Sequence, residues 1–280
     1  MILPRLLTAV IGIPLILLSI YFGGVPFFLL VVVITIFSLQ EYFYIIDRTG
    51  HDLQKPTGYI FGLLVLLAVY FNGSRILAPA QSQLTSITFT LALFVFFLYE
   101  IIRVSFSKKL ETNGSITRIG LTLFGVFIIS WPFSYILLIR DINPCGDKYS
   151  FFLFLLIWIA DTGAYAVGKK FGRLKLAEKI SPKKTIEGAI GGIFTGVIFA
   201  IIMWKILPLK ELGLAEVVIV SFFVIVIAFV SDLSESLLKR DVGLKDSDAL
   251  LPGHGGMLDR FDSFIFAAPF FYYYLTIFHK

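Results

Sequence analysis

Residues 6–46 read LLTAVIGIPLILLSIYFGGVPFFLLVVVITIFSLQEYFYII, which is two apolar runs joined by a Gly-Gly-Val-Pro connection. Each run approaches the roughly 20 apolar residues that an α-helix needs to cross a bilayer. Glycine and proline in so short a connection favour a tight turn. The stretch therefore predicts a transmembrane helical hairpin. We expect its first run to be retained, because only Arg5 precedes it and no small-residue cleavage site follows.

The whole chain has the composition of a membrane protein. Of its 280 residues, 58% are apolar and 15% are charged, and the mean hydropathy is +0.89. Soluble domains carry roughly 25% charged residues, and a small soluble globule cannot cover so much apolar surface. Continuous apolar runs exclude disorder and the alternating strands of a barrel. A single cysteine, Cys145, excludes an internal disulfide and a metal site built from cysteines.

Charged clusters and glycine or proline turns divide the chain into about nine transmembrane helices, so we expect an all-α polytopic integral membrane protein. We place the helices at 6–22, 27–46, 57–71, 84–102, 119–139, 150–168, 188–206, 216–238 and 261–278. Eighteen of the 24 Lys and Arg residues then fall on one side of the membrane. Because cytoplasmic loops are enriched in basic residues, this bias predicts a cytoplasmic N-terminus and an extracytoplasmic C-terminus.

Several acidic residues lie deep in the predicted helices of the C-terminal half. Asp161 lies within the sixth span, and Asp232 and Glu235 lie in the last turns of the eighth. A charge at a helix centre costs roughly 2.5–3.5 kcal/mol on insertion scales, so such residues usually face a partner, an ion or water. Asp259 and Asp262 share a face where the ninth span begins. Asp232 and Asp259 together would suit Mg²⁺, which takes few carboxylates plus waters and substrate phosphates. The alternative, which we favour for Glu235, is that these acids only neutralise nearby Lys and Arg.

Two glutamates and a series of glycines in the spans are expected to have structural rather than chemical roles. Glu41 and Glu100 lie near cytoplasmic ends of spans, where we expect snorkelling or interhelical pairs. Gly188, Gly192 and Gly196 recur every four residues in the seventh span, which predicts a close helix contact.

Two predicted cytoplasmic loops interleave basic residues, carboxylates and glycines. In the run Ser181-Pro-Lys-Lys-Thr185, Ser181 is a predicted helix N-cap followed by proline at the first helical position. Lys183, Lys184 and Thr185 would then lie on the first turn, where amides and ammonium groups bind an anion. The alternative is a basic flank that only sets topology. His254, among three glycines, would present an imidazole and backbone amides to a phosphate, or lie in a plain flexible turn.

Taken in order, these residues resemble the signature of phosphatidate cytidylyltransferases (CDP-diacylglycerol synthases). That signature combines Ser-x-x-Lys-Arg, Lys-Asp, His-Gly-Gly and Asp-Arg-x-Asp. Its counterparts here are Ser236, Lys239, Arg240, Lys245, Asp246, His254, Gly255, Gly256, Asp259, Arg260 and Asp262. The segments 161–165 and 181–188 also look like that family, so the motif resemblance covers about 158–263. Asp248 departs from the pattern, which has a small residue there.

The resemblance implies transfer of a cytidylyl group from CTP to phosphatidate, giving CDP-diacylglycerol and pyrophosphate. It also implies Mg²⁺, often with K⁺, and a homodimer in the bilayer of the bacterial inner membrane, with the active site facing the cytoplasm and no nucleic-acid partner. The implied catalytic residues are Asp232, Asp259, Asp246 and Lys239, and the implied metal ligands are Asp232, Asp259, Asp246 and Asp161. The implied substrate-binding residues are Ser181, Lys183, Lys184, Thr185, Ser236, Arg240, His254, Gly255, Gly256, Arg260 and Asp262.

This assignment divides the chain into an N-terminal transmembrane region, 1–118, with about four helices, and a C-terminal catalytic region, 119–280, with cytoplasmic loops 169–187 and 239–260. Two alternatives stay open. One is another nucleotide-dependent lipid or polyprenol kinase. The other is a cation-coupled transporter, which Asp161 and Asp232 would suit, although transporters place such acids near the midplane on broken helices rather than beside polar loops.

Overall fold

The computed structural model describes residues 3–73, 81–106, 114–207, 209, 212–244 and 256–278. Within them the chain forms a bundle of helices with one short antiparallel hairpin. The helices are α1 (Leu3–Phe22), α2 (Gly24–Asp47), α3 (Lys55–Gly73), α4 (Gln81–Phe106), α5 (Ser115–Gly125), α6 (Trp131–Arg140), α7 (Gly146–Phe171), α8 (Ile186–Ile206), α9 (Leu214–Asp241), α10 (Leu258–Phe261) and α11 (Phe264–Phe278). A π-helical turn, Val126–Ser130, makes α5 and α6 continuous. The strands are β1 (Lys175–Ala177) and β2 (Ser181–Thr185).

The predicted spans agree with the observed helices, since each of them lies in a helical stretch. In the described part of the chain, seven stretches are long and apolar enough to cross a membrane. They are Gly24–Asp47, Gln83–Phe106, Ser115–Arg140, Gly146–Phe171, Ile186–Ile206, Leu214–Asp241 and Leu258–Phe278. Two further apolar helices, Val10–Phe22 and Lys55–Phe71, are shorter. The protein is thus a helical integral membrane protein, and the strand pair found in its described residues lies outside these helices.

The turn between α1 and α2 forms as the opening stretch predicts. Gly23 and Gly24 have φ angles of 62° and 51°, which side chains rarely adopt. The Arg140 guanidinium fills the space beside Gly23, and its Nε donates to the carbonyl of Ile20 at 2.7 Å. The turn therefore requires glycine both for its backbone angles and for the close approach of α6.

The glycine stripe of α8 packs against α7, as predicted. A Cβ on Gly192 would lie 2.8 Å from the carbonyl oxygen of Ala160, and one on Gly188 would lie 2.9 Å from that of Ala164. Bare backbone on α8 thus lets the two helices approach closely. Asp161, between these two alanines, is held beside α8 as a result.

A second predicted contact, the interhelical pairing of Glu100, is also confirmed. Glu100 on α4 pairs with Arg103 at 2.6 Å and with Arg118 of α5 at 3.2 Å. It also accepts a hydrogen bond from Gln54 at 2.9 Å. Because a buried charge is costly without partners, this network fixes the cytoplasmic ends predicted for α4 and α5.

Candidate active site

The segment before α8 is a strand rather than the first turn of a helix. Ser181–Thr185 pairs with Lys175–Ala177, and α8 begins only at Ile186. The predicted N-cap at Ser181 is therefore wrong. The N-cap is Thr185, whose hydroxyl accepts a hydrogen bond from the Gly188 amide at 3.1 Å. A proline without an amide hydrogen is compatible with the edge strand of a two-stranded hairpin, so proline here did not mark a helix start.

Two side chains fix this hairpin to the helices around it. Glu187 accepts hydrogen bonds from the amides of Arg173 and Leu174, both at 3.1 Å, which closes the base of the hairpin. Arg240, near the end of α9, donates from Nε to the carbonyl of Ile180 at 3.0 Å. The hairpin is thereby held against the end of α9. Arg240, predicted to bind phosphate, bonds to the loop backbone here.

The hairpin brings one of its lysines into contact with an aspartate of α9. Lys184 forms an ion pair with Asp232, and both side chains are 26% exposed. Asp161 of α7 is exposed and close enough to interact electrostatically with both. A charged carboxylate within a membrane span is costly in contact with lipid, so it usually faces other polar groups or water. We therefore expect Asp161 to face this polar part of the bundle. The helices α7 and α9 and the strand β2 thus bring their charged side chains together.

A second lysine, on α9, is buried and pairs with two acidic residues. Lys239 pairs with Glu235 one turn earlier on α9, at 2.7 Å, and with Asp259 of α10, at 2.5 Å. Glu235 is 3% exposed and Lys239 is 8% exposed. The expectation that Glu235 neutralises a nearby basic residue is confirmed. The same lysine also joins Glu235 to Asp259, so Glu235 lies inside the candidate site.

Asp262 completes the group from the junction of α10 and α11. Its carboxylate accepts a hydrogen bond from the Ser263 amide at 2.5 Å, and its carbonyl accepts one from the Ser231 hydroxyl. It is 8% exposed and interacts electrostatically with Asp232, Glu235 and Asp161. Asp262 thus lies near acids of both ion-paired groups, and we call the whole set the acid–lysine cluster. Its members are Asp161, Asp232, Glu235, Asp259, Asp262, Lys184 and Lys239.

The cluster has an excess of negative charge. Its two lysines form ion pairs with three of its five acids. Within the described ranges, Asp161 and Asp262 have no ion-pair partner. In that same part of the chain, no three His, Cys, Asp or Glu side chains are arranged to hold a metal ion. Mg²⁺ usually takes only one or two carboxylates and completes its coordination with water and substrate phosphates. A cluster with five carboxylates and two lysines can offer one or two carboxylates to such a cation.

The remaining predicted residues surround the cluster or lie outside the described residues. Lys183 and Arg260 are exposed, and Ser181 and Ser236 are half-buried. Gly256 is buried against Glu41 of α2. Three predicted residues lie outside the described ranges: Asp246, His254 and Gly255.

Comparison with known proteins identifies the family. The model of the cytidylyltransferase family matches residues 3–278. The chain belongs to this family. It is 32% identical over 276 residues to the phosphatidate cytidylyltransferase of Bacillus subtilis (strain 168), which covers 98% of this chain and 97% of that protein. It is 32% identical over 306 residues to that of Synechocystis sp., covering 98% and 96% of the two chains. That of Haemophilus influenzae is 44% identical over 126 residues, 44% of each chain.

The cytidylyltransferase family match confirms the resemblance drawn from 158–263 and extends it into the N-terminal half. Sequence reasoning did not assign a site role to Glu235, although its spacing of four residues from Lys239 is that of a helical ion pair and was available as a signal. It also missed the contact of Glu41 with Gly256, for which the sequence contains no local signal.

Proposed function

We propose that the protein transfers a cytidylyl group from CTP to phosphatidate, giving CDP-diacylglycerol and pyrophosphate. The supporting observation is the acid–lysine cluster, in which Lys184 of the hairpin meets Asp232 of α9. The cluster combines cationic and anionic side chains from separate elements, as binding of a polyphosphate with a divalent cation requires. It belongs to a chain of the cytidylyltransferase family whose full-length relatives are named phosphatidate cytidylyltransferases.

The reaction needs no nucleophile from the protein. A phosphate oxygen of phosphatidate attacks the α-phosphorus of CTP in line and forms the new P–O bond. The bond from that phosphorus to the bridging oxygen of the β-phosphate breaks, and the electron pair leaves with pyrophosphate. A phosphate monoester is already an anionic nucleophile, so the protein contributes positioning and charge stabilisation, as in other phosphoryl transfers.

The basic residues around the cluster suit the anionic parts of both substrates. Lys183, exposed on β2, and Lys184, paired with Asp232, are assigned to the triphosphate. Arg260 is exposed at α10 and is assigned to the phosphate of CTP or of the lipid. Lys239 is enclosed by Glu235 and Asp259, so we assign it to holding these two acids beside the reacting phosphates.

The acids are assigned to a divalent cation. Asp232 and Asp259 are the first choices for holding Mg²⁺, with Asp246 and Asp161 as further candidates and K⁺ as a second cation. When bound, Mg²⁺ would neutralise charge that develops on the triphosphate. Asp232 is 26% exposed, so a hydrated cation carrying nucleotide phosphates could reach its carboxylate from solvent.

The site is proposed to face the cytoplasm of the bacterial inner membrane. All nine apolar helices would cross the membrane, with the N-terminus inside and the C-terminus outside, because this arrangement leaves most basic residues in cytoplasmic loops. The division into regions 1–118 and 119–280 and the homodimer remain part of the proposal. Phosphatidate would enter sideways from the leaflet, so that its acyl chains stay in hydrocarbon.

CTP labelled at one phosphate position tests this function. Purified protein with phosphatidate, Mg²⁺ and CTP carrying label on the α-phosphate is expected to yield labelled lipid, whereas label on the γ-phosphate is expected to appear only in pyrophosphate. Lipid labelled from the γ-phosphate would instead identify a kinase. If neither α-labelled nor γ-labelled CTP gives labelled lipid, and the protein instead supports ion-driven flux in vesicles, the proposal is contradicted and a transporter is favoured.

A further inference from the structure

Glu41 lies on α2, far in sequence from the acid–lysine cluster, and is fully buried. Its side chain is 1% exposed, and most of the other buried residues of α2 are apolar. Burial of a carboxylate is costly unless specific contacts compensate it. The contacts of Glu41 therefore show what this carboxylate does in the fold.

Those contacts are with the backbone that leads into α10. Oε2 of Glu41 accepts a hydrogen bond from the amide of Leu258, the first residue of α10, at 2.8 Å. The same carboxylate occupies the space that a Cβ on Gly256 would fill. One side chain thus fixes two points of the chain, and only glycine fits at the first of them.

The segment fixed in this way carries a member of the cluster. Asp259 directly follows Leu258, and its carboxylate meets Lys239 at 2.5 Å. The helix α10 has only four residues, so it gains little stability from its own hydrogen bonds. Its position must be set from outside, and α2 provides that support.

We propose that Glu41 is a positioning residue for cytidylyl transfer, which holds Gly256 and α10 so that Asp259 stays beside Lys239. The proposal rests on the proposed function. It assigns to the N-terminal half of the chain a direct part in ordering the site, through a carboxylate that touches no reacting atom.

Substitutions at Glu41 separate this role from a merely structural one. Glu41→Ala removes the acceptor of the Leu258 amide, and we expect kcat to fall about tenfold or more, as for loss of a buried charged acceptor. Glu41→Gln keeps the size and an acceptor oxygen, and should restore kcat to within about threefold of the original protein. Ser38→Ala, at a buried position one turn earlier on α2, is the control for disturbing α2 and should leave kcat unchanged.

The measurements are kcat per folded molecule and the melting temperature in detergent. A lowered kcat in the folded Ala variant with recovery in the Gln variant supports the proposal. Full kcat in the Ala variant, with or without a lowered melting temperature, overturns it. If the Ala variant does not fold, Glu41→Asp, which retracts the carboxylate by one methylene, is used: a folded, slow enzyme supports the proposal and a fully active one overturns it. Failure of the proposed function is recognised separately, because the unsubstituted protein would then label no lipid.

Discussion

Asp232→Asn is expected to lower kcat for cytidylyl transfer by about 10²–10³-fold, the usual effect of removing one group that stabilises charge in a transition state. The substitution keeps the shape of the side chain and removes its charge. Asp232 joins the hairpin to α9 through Lys184 and interacts with Asp161 and Asp262. The cluster therefore loses an acid that interacts with three of its members and that we assign to the cation.

The fold is expected to survive this change. Asparagine keeps a side-chain oxygen in the place of the carboxylate, so the buried ammonium group of Lys184 retains an acceptor. The measurement is label transferred from the α-phosphate of CTP to lipid, with the melting temperature in detergent as the test of folding. Asp241→Asn, at the exposed end of the same helix, is the matched control and should retain full activity. Near-normal turnover in Asp232→Asn would refute its assignment.

Lys239→Met is expected to lower the free energy of unfolding by about 3–5 kcal/mol, the usual cost of removing one partner from a buried ion pair. Lys239 is 8% exposed and lies between Glu235 and Asp259. Methionine fills a similar volume, so the loss arises from charge rather than from a cavity. The buried carboxylate of Glu235 and the partly exposed carboxylate of Asp259 would then face each other without a cation between them.

Unfolding in detergent, followed by heat or denaturant, measures this effect. Lys179→Met replaces an exposed lysine of the hairpin and should change the free energy of unfolding little. Adding Glu235→Gln to Lys239→Met removes one of the facing charges and should recover part of the lost stability. Equal stability of the two lysine variants would show that Lys239 does not balance the buried acids.

The helices were predictable from the sequence, and the hairpin was not. Apolar runs of about 20 residues predict membrane helices because the bilayer requires that length. Ser181–Thr185 has no apolar alternation, and its serine and proline are equally typical of a helix start. Only its pairing with Lys175–Ala177 decides between the two structures.

The acids of the site were predictable one by one, but their grouping was not. Depth in the span singled out Asp161 and Asp232, since charges there are costly. The pairing of Lys239 with both Glu235 and Asp259 depends on how α9 meets α10. The contact between Glu41 and Gly256 involves a bare backbone position 215 residues away in the sequence, and no periodicity or spacing reveals it.

If the hairpin and α9 form one site for cytidylyl transfer, Lys184 and Asp232 should act as a unit, and a double-mutant cycle on these two residues measures whether they do. Transfer of label from the α-phosphate of CTP to lipid is measured for Lys184→Gln, Asp232→Asn and the double variant. Residues that act as a unit have non-additive effects. For a single site, the double variant should be about as slow as the slower single variant. A rate that falls by the product of the two single effects would show that Lys184 and Asp232 act independently.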